Sequence, residues 1–408
     1  MITRHLLAMV FISCMGLTSC DVPRDGRSSV SIENQNRSAA HNNRGFELYE
    51  SGQYQRAVEE CTKAIGLDPT SSAAFNNRGL ALGELGEYDK ALADFQRSLE
   101  LEPDALVYHN RGQVWADQRE FVQAIADFDE ALRLDPKMIE VWVHRGRSWH
   151  GEGELDKAMA DLDQAIKLNP NLAEAYRERG YVWEAKENME NAIRDYNSAV
   201  QLGEDPTSYF YRADAYHTID ELDKAIADFN KAIELDSEYA EALGGRALVW
   251  IEKEAYQKAI DDFDRAIAII PNMADYYSFR ADAWYELDDY PKAIADYNKS
   301  LELDPDNPSD FNNRGLAWLG SENTKNAIAD FTKALELDED AVTYENRGDA
   351  YIETEEFAKA ISDYSSAIEL ESSNSGLYRS RAEAFAKNGQ QDKADADLAT
   401  AKKLDDEQ

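Results

Sequence analysis

The chain has 408 residues, with 43 lysines and arginines against 80 aspartates and glutamates, and a formal net charge of −37. Hydrophobic residues make up 43% of it and aromatic residues 10%, which excludes a disordered chain. The excess of acidic side chains excludes sequence-independent binding to the phosphate backbone of nucleic acids and favours basic partners.

The segment 1–19 has the pattern of a secretory signal peptide. Arg4 and His5 make a short polar start, and an apolar run follows from Leu6 to Gly16. This run is too short to cross a membrane as a helix, which takes about 20 residues. We therefore predict that the segment 1–19 is a targeting sequence and no part of the fold.

The apolar run ends in Leu17-Thr18-Ser19-Cys20, which resembles the lipobox of bacterial lipoprotein precursors. The resemblance implies cleavage before Cys20 and acylation of Cys20, whose acyl chains would hold the protein on a membrane without a spanning helix. The alternative is an ordinary cleaved signal peptide in which Cys20 is incidental. Asp21 resembles the inner-membrane retention signal of enteric bacteria, but the sequence does not choose between the two membranes. We expect a lipid-anchored protein of the bacterial cell envelope, on the periplasmic or extracytoplasmic side.

The lipidated terminus leads into a polar segment. Residues 20–37 contain Pro23, Gly26 and several serines, a composition typical of flexible linkers. The sequence therefore predicts a flexible tether over this range.

Residues 38–408 consist of one repeated unit. An Arg-Gly or Arg-Ala dipeptide recurs at intervals of thirty-three or thirty-four positions, once in each of eleven repeats. We number these repeats in chain order from the one that contains Arg44. Alanine follows thirteen positions after each Arg, and an aromatic residue, Leu or Cys follows four positions later. Such a period indicates an array of stacked units and not one large core.

The repeat resembles the tetratricopeptide repeat, a 34-residue helix–turn–helix with W-x2-L-G-x2-Y, then A-x3-F, then P. Repeat 4 shows both the match and the departure, because Trp142, Arg145, Gly146 and Trp149 occupy the first part of that pattern. Arg replaces the expected Leu in all eleven repeats. The resemblance implies an all-α, right-handed superhelical solenoid of about eleven repeats, with a concave face built mainly from the first helix of each.

The residues themselves also predict paired helices. In repeat 2, Phe75, Arg78 and Leu82 have helical spacing, as do Ala91 and Phe95 in the following segment. The last repeat carries charged side chains at two columns that are apolar in the other repeats, Asp395 and Lys402. We expect it to cap the array.

An acidic residue stands sixteen positions after each Arg of the repeated column. Arg78 with Asp94, and Arg246 with Asp262, are examples. Because residues at equal distances from a turn face each other in an antiparallel hairpin, the spacing predicts a ladder of partly buried ion pairs. The spacing leaves open whether each pair lies within one repeat or joins two neighbours. A ladder for anionic ligands is the weaker interpretation, since each Arg already has a counter-ion.

By resemblance, ligands contact the side chains two before and two, five and six after each Arg. In repeats 3–6 these columns are near neutral in charge and rich in His, and in repeats 7–10 they are acidic. The candidate protein-binding residues are Arg147, His150, Arg177, His217, Asp282, Glu286, Asp349 and Glu353. The acidic stretch predicts a partner with a basic segment, and the alternative is that all of these are solvated helix faces.

No catalytic, metal or cofactor site is predicted. The chain has no zinc-protease motif, no Gly-rich phosphate loop and no nucleophile elbow. We expect a protein–protein interaction scaffold with no enzymatic activity and no cofactor, bound to the membrane only through its lipid. The alternative is a stoichiometric subunit of a pilus or secretion machine, similar to a pilotin.

Overall fold

The computed structural model describes residues 29–406, so the predicted signal peptide and Cys20 lie outside the described residues. The described part of the chain consists of 22 helices joined by short turns and contains no strand. The predicted all-α class is therefore confirmed. None of the described helices is long and apolar enough to span a membrane.

The described residues divide into two compact units, 29–141 and 142–406. The first contains α1 (Ser29–Glu50), α2 (Tyr54–Leu67), α3 (Ser72–Glu84), α4 (Tyr88–Leu101), α5 (Ala105–Asp117) and α6 (Phe121–Leu134). Helix α7 (Ile139–Gly151) begins at the end of the first unit and ends in the second.

The second unit continues with fifteen helices. They are α8 (Leu155–Leu168), α9 (Ala173–Ala185), α10 (Met189–Leu202), α11 (Pro206–Thr218), α12 (Leu222–Leu235), α13 (Ala240–Glu252), α14 (Tyr256–Ile269), α15 (Ala274–Glu286), α16 (Tyr290–Leu303), α17 (Pro308–Gly320), α18 (Thr324–Leu337), α19 (Ala341–Glu353), α20 (Phe357–Leu370), α21 (Ser375–Lys387) and α22 (Gln391–Asp406). Odd-numbered helices are the first helices of the repeats. In this unit neighbouring first helices from α9 to α21 contact each other, and we call the surface they form the first-helix face.

Each repeat turns at one residue with positive φ, eight positions after its Arg. Four of these residues are Gly, and the other seven are Arg119, Glu187, Asp220, Glu254, Asp288, Glu322 and Glu355. The left-handed conformation ends the first helix and lets the chain reverse within a short turn.

Close packing of the two helices in a repeat depends on the small residue that follows each Arg. A Cβ atom built on Gly315 would lie 2.5 Å from the ring of Phe331, which is fully buried. The alanine thirteen positions after each Arg is likewise buried, as for Ala91 and Ala327. These columns, which define the repeat in the sequence, therefore form its core.

Helix α1 differs from the predicted tether. It spans 22 residues and begins at Ser29, so residues 29–37 are helical. The helix breakers of this segment, Pro23 and Gly26, both precede Ser29. The buried Ser38 hydroxyl donates a hydrogen bond to the carbonyl oxygen of Ala64 at 2.8 Å, which fixes the helix against α2.

Candidate functional site

From repeat 2 onward, each Arg of the repeated column makes a bidentate ion pair with the Asp that follows sixteen positions later. The Nε and Nη2 atoms of Arg78 lie 2.7 and 2.8 Å from the two carboxylate oxygens of Asp94. Arg246 and Asp262 are joined in the same way, at 2.7 and 2.5 Å. The pairs thus lie within single repeats.

Repeat 1 departs from this pattern. Its acid, Glu60, lies 2.6 Å from a ring nitrogen of His41 and 2.7 Å from the Lys63 ammonium. Hydrogen bonds from these two side chains lower the pKa of Glu60 to about 2, that from Lys63 being the stronger.

The Nη1 atom, which takes no part in the bidentate pair, also donates a hydrogen bond in ladder arginines such as Arg78 and Arg246. Nη1 of Arg78 donates to the Thr62 hydroxyl at 3.1 Å, and Nη1 of Arg246 donates to the side-chain oxygen of Asn230 at 2.5 Å. Both acceptors belong to the second helix of the preceding repeat. The guanidinium group therefore joins two repeats and is not presented to an anionic ligand.

The basic candidates of repeats 4 to 6 have acidic neighbours. Arg147 on α7 donates to Glu174 and Glu178 on α9, each at 2.9 Å. The ring of His150 packs edge-on against Tyr181, with centroids 4.7 Å apart, and burial lowers the pKa of His150.

The other two basic candidates are paired as well. Arg177 on α9 lies 2.8 Å from the carboxylate of Asp205, and Nε2 of His217 lies 2.6 Å from Glu252. The positive charge of this part of the first-helix face is thus matched by acids of the same chain.

The acidic candidates of repeat 8 have neutral partners. The Tyr297 hydroxyl and the side-chain amide of Asn313 donate to Asp282, the latter at 3.3 Å. The Tyr256 hydroxyl donates to Glu286 at 3.4 Å. Asp282 is half-buried, which differs from the alternative of a solvated helix face, and burial raises its pKa.

Repeat 10 repeats this arrangement. The Tyr364 hydroxyl donates to Asp349 at 2.6 Å, and the Thr324 hydroxyl donates to Glu353 at 3.0 Å. Burial raises the pKa of Asp349. Among the described residues, no Lys, Arg or His lies within ion-pair distance of Asp349, Glu353 or the two acids of repeat 8.

A cavity of about 430 Å³ opens between residues of five consecutive helices, α13 to α17. It is lined by Ile251, Tyr256, Asp282, Tyr285, Glu286, Tyr297, Asn313 and Leu316. The sequence identified Asp282 and Glu286 but missed the hydroxyl partners Tyr256 and Tyr297. The sequence did contain a signal for Tyr297. It stands seventeen positions after the Arg of its repeat, where Phe is the commonest residue, so it adds a hydroxyl group to a position of the core.

Glu184 on α9 is another half-buried carboxyl group on the first-helix face. Burial, with the charge of Asp214 on α11, raises its pKa from 4.5 to about 7. Across residues 29–406, no group of three or more His, Cys, Asp or Glu side chains is placed to hold a metal ion.

Family models with the description tetratricopeptide repeat or TPR repeat match most of the array. The matched residues are 38–71, 72–104, 105–138, 146–186, 210–274, 281–320 and 341–374. Together these segments cover more than half of the chain.

Solved structures are similar in fold. A monomeric mutant of IFIT1 with Gppp-AAAA is 15% identical and has a TM-score of 0.51, over 93% of this chain and 91% of that one. MamA is 25% identical, with a TM-score of 0.37 over 39% of this chain and 94% of its own. PilF of Pseudomonas aeruginosa is 18% identical, with a TM-score of 0.45 over 52% and 96%. No curated protein sequence matches the chain.

Proposed function

Because the chain belongs to the tetratricopeptide repeat family, we propose that it is a non-enzymatic scaffold that binds a basic segment of another protein. Proteins of this family generally mediate protein–protein interactions. The binding surface is the first-helix face of repeats 8 to 10, and the residues that carry it are Asp282, Glu286, Asp349 and Glu353.

One contrast carries this proposal. The basic side chains of repeats 4 to 6, such as Arg147 and Arg177, are paired with acids of the chain itself. The four candidate acids of repeats 8 and 10 accept hydrogen bonds only from hydroxyl and amide groups among the described residues, as Asp282 and Asp349 illustrate. A basic partner supplies the missing counter-charge, and like-charge repulsion disfavours an acidic one.

We further propose that Cys20 is acylated and anchors the scaffold in the bacterial cell envelope. The support is the Leu17-Thr18-Ser19-Cys20 motif after the apolar run. Changing Cys20 to Ala should move the protein from the membrane fraction to the soluble periplasmic fraction. Retention of the variant on membranes after removal of the leader would contradict this anchoring.

The binding surface is tested by charge removal. Asp282 and Asp349 are changed to Asn, and Glu286 and Glu353 to Gln, after affinity capture of the client from detergent-solubilised envelopes. We expect client binding to weaken at least about tenfold, and binding to the unaltered protein to weaken with added salt. Circular dichroism should show unchanged helical content.

The matched control removes the same charge from the second helices. Asp261 is changed to Asn, and Glu302, Glu336 and Glu369 to Gln; all four side chains are exposed. Client binding to this control should be unaffected. If both variants lost client binding equally, binding would depend on the net charge of the protein and not on a site on the first-helix face. A single complex of fixed stoichiometry would favour the alternative role as an assembly subunit.

A further inference from the structure

The cavity lined by α13 to α17 has two acidic side chains and no basic one among its lining residues. Asp282 and Glu286 line it, and hydroxyl and amide groups are their only hydrogen-bond donors among the described residues. Every ladder Asp described above has an Arg as its counter-ion. The two acids of this cavity have none among the described residues.

A third carboxylate, that of Asp310, is not part of the lining but acts electrostatically on two of the lining residues. Asp310 is only 1% exposed, and its charge contributes to the raised pKa of both Asp282 and Tyr297. Its Oδ1 atom accepts a hydrogen bond from Ser278 at 2.5 Å, whereas its Oδ2 atom is buried and has no partner. A buried carboxylate oxygen without a donor is costly, and natural proteins keep few of them.

Asp310 is also an exception within the repeat. The column four positions before the Arg is uncharged in the other repeats, as with Ala242 and Leu377, and only here does it carry an acid. The core therefore does not require this carboxylate. Because its charge acts on Asp282, Asp310 adds to the negative charge of the cavity lining.

The rest of the lining fits a long, flat cation. The phenol rings of Tyr256 and Tyr285 offer faces on which a guanidinium group can stack, and Ile251 and Leu316 offer apolar walls to an alkyl chain. The volume of about 430 Å³ lies within the usual range of small-molecule pockets, about 300–1,000 Å³. A planar guanidinium suits paired carboxylates and aromatic rings better than an ammonium does.

We infer that this cavity is a specific binding site for an arginine side chain, held by Asp282 and Glu286 and flanked by Tyr256 and Tyr285. The inference rests on the proposed function for the source of that side chain, the basic segment of the client. It adds that recognition depends on one inserted arginine and not on diffuse charge alone.

The test uses N-acetyl-arginine amide as the probe and methyl NMR of the full chain as the readout. The methyl groups of Ile251 and Leu316 line the cavity, whereas Ile368 is buried in repeat 10 and reports on the fold. We expect the probe to shift the Ile251 and Leu316 signals and leave Ile368 unchanged. N-acetyl-citrulline amide, the neutral analogue, should give no shift, and the lysine amide should bind about threefold or more weakly.

Asp282→Asn keeps an oxygen that can accept from Tyr297 but removes the charge, so probe affinity should fall about tenfold or more. Asp261→Asn is the matched control, because Asp261 is exposed on α14, lies outside the proposed binding surface and does not line the cavity. Its affinity for the probe should be unchanged. Equal shifts with the citrulline amide, equal binding of the lysine amide, or equal losses in both variants would overturn the inference.

The two proposals fail separately. If the arginine amide gives no shift while the four-acid variant still loses its client, the cavity inference is overturned and the scaffold proposal stands. If the amide binds but the four-acid variant keeps its client, the arginine site stands and the proposed binding surface is wrong.

Discussion

Among single residues, the ladder arginine joins the two helices of its own repeat to the repeat before it, from repeat 2 onward. Arg246 donates to both oxygens of Asp262 and to Asn230 of the preceding repeat. The Asp262 side chain is 7% exposed and that of Arg246 is 16% exposed. Solvent therefore screens this pair much less than it screens a surface pair.

Replacing Arg246 with Met should lower the free energy of unfolding by about 3–5 kcal/mol, because a buried carboxylate loses its counter-ion. Adding Asp262→Leu should recover much of the loss, since two apolar side chains leave no unpaired charge. Urea denaturation followed by circular dichroism measures both effects.

The control for this cycle is an exposed pair. Lys253 lies 3.0 Å from Asp223, whose side chain is 91% exposed, so Lys253→Met should change stability by about 0–1 kcal/mol. A loss of similar size in Lys253→Met and Arg246→Met would contradict the distinction between buried and exposed pairs.

The turn residues show what a local sequence pattern leaves unpredicted. Gly86 marks its turn because Gly adopts positive φ without strain, and its φ is 74°. Glu254 occupies the same place in its repeat with φ of 56°, although nothing in its side chain favours that conformation. The tertiary packing of α13 on α14 imposes the turn there, so only alignment of the repeats predicts it.

At the scale of elements, α9, α10 and α11 enclose an acid whose titration affects stability. The pKa of Glu184 is 4.5 in the reference state and about 7 in the fold, because burial and the charge of Asp214 disfavour its ionised form. Between these two pH values the folded chain keeps a proton that the unfolded chain has lost. Stability from this group therefore falls as pH rises from 4.5 to about 7.

Glu184→Gln removes this titration. The variant should gain stability relative to the unaltered protein as pH rises through that window, with no further gain above it. Urea midpoints measured from acidic to neutral pH give the comparison. Glu190→Gln, an exposed change on α10, should show no such trend. A parallel pH dependence of the Glu184 variant and the unaltered protein would contradict the raised pKa.

The helices were more predictable than the partners of the acids on them. The length of the repeat and the regular positions of its Arg and Ala predict each pair of helices, because the same residues form the core of every repeat. The acids of the first-helix face were identified by resemblance, but whether a cation pairs with them depends on neighbours in the adjacent repeat. Arg147 and Glu178 meet across two repeats, as do Asp282 and Asn313. The sequence around either residue therefore does not show that Arg147 has an ion-pair partner and that Asp282 has none.

At the scale of the whole molecule, the charges that attract each other are mostly buried and those that repel each other are mostly exposed. The ladder pairs are attractive and mostly buried; counted as whole residues, Asp94 and Asp262 are 6% and 5% exposed. The remaining excess of acid, from a formal charge of −37, is spread over the surface and repels itself. Salt screens exposed charges over about 10 Å at 0.1 M but reaches buried pairs weakly.

Raising the sodium chloride concentration from about 10 to about 500 mM should therefore raise the thermal midpoint of the protein, because screening relieves repulsion and spares the ladder. The same salt should weaken client binding, which depends on exposed acids of the first-helix face. Thermal denaturation followed by circular dichroism measures the change in midpoint, and binding assays in the same buffers measure the change in affinity for the client. Potassium chloride at equal ionic strength is the control and should give the same midpoints. A midpoint that falls with salt would mean that exposed ion pairs, and not repulsion, dominate the surface electrostatics.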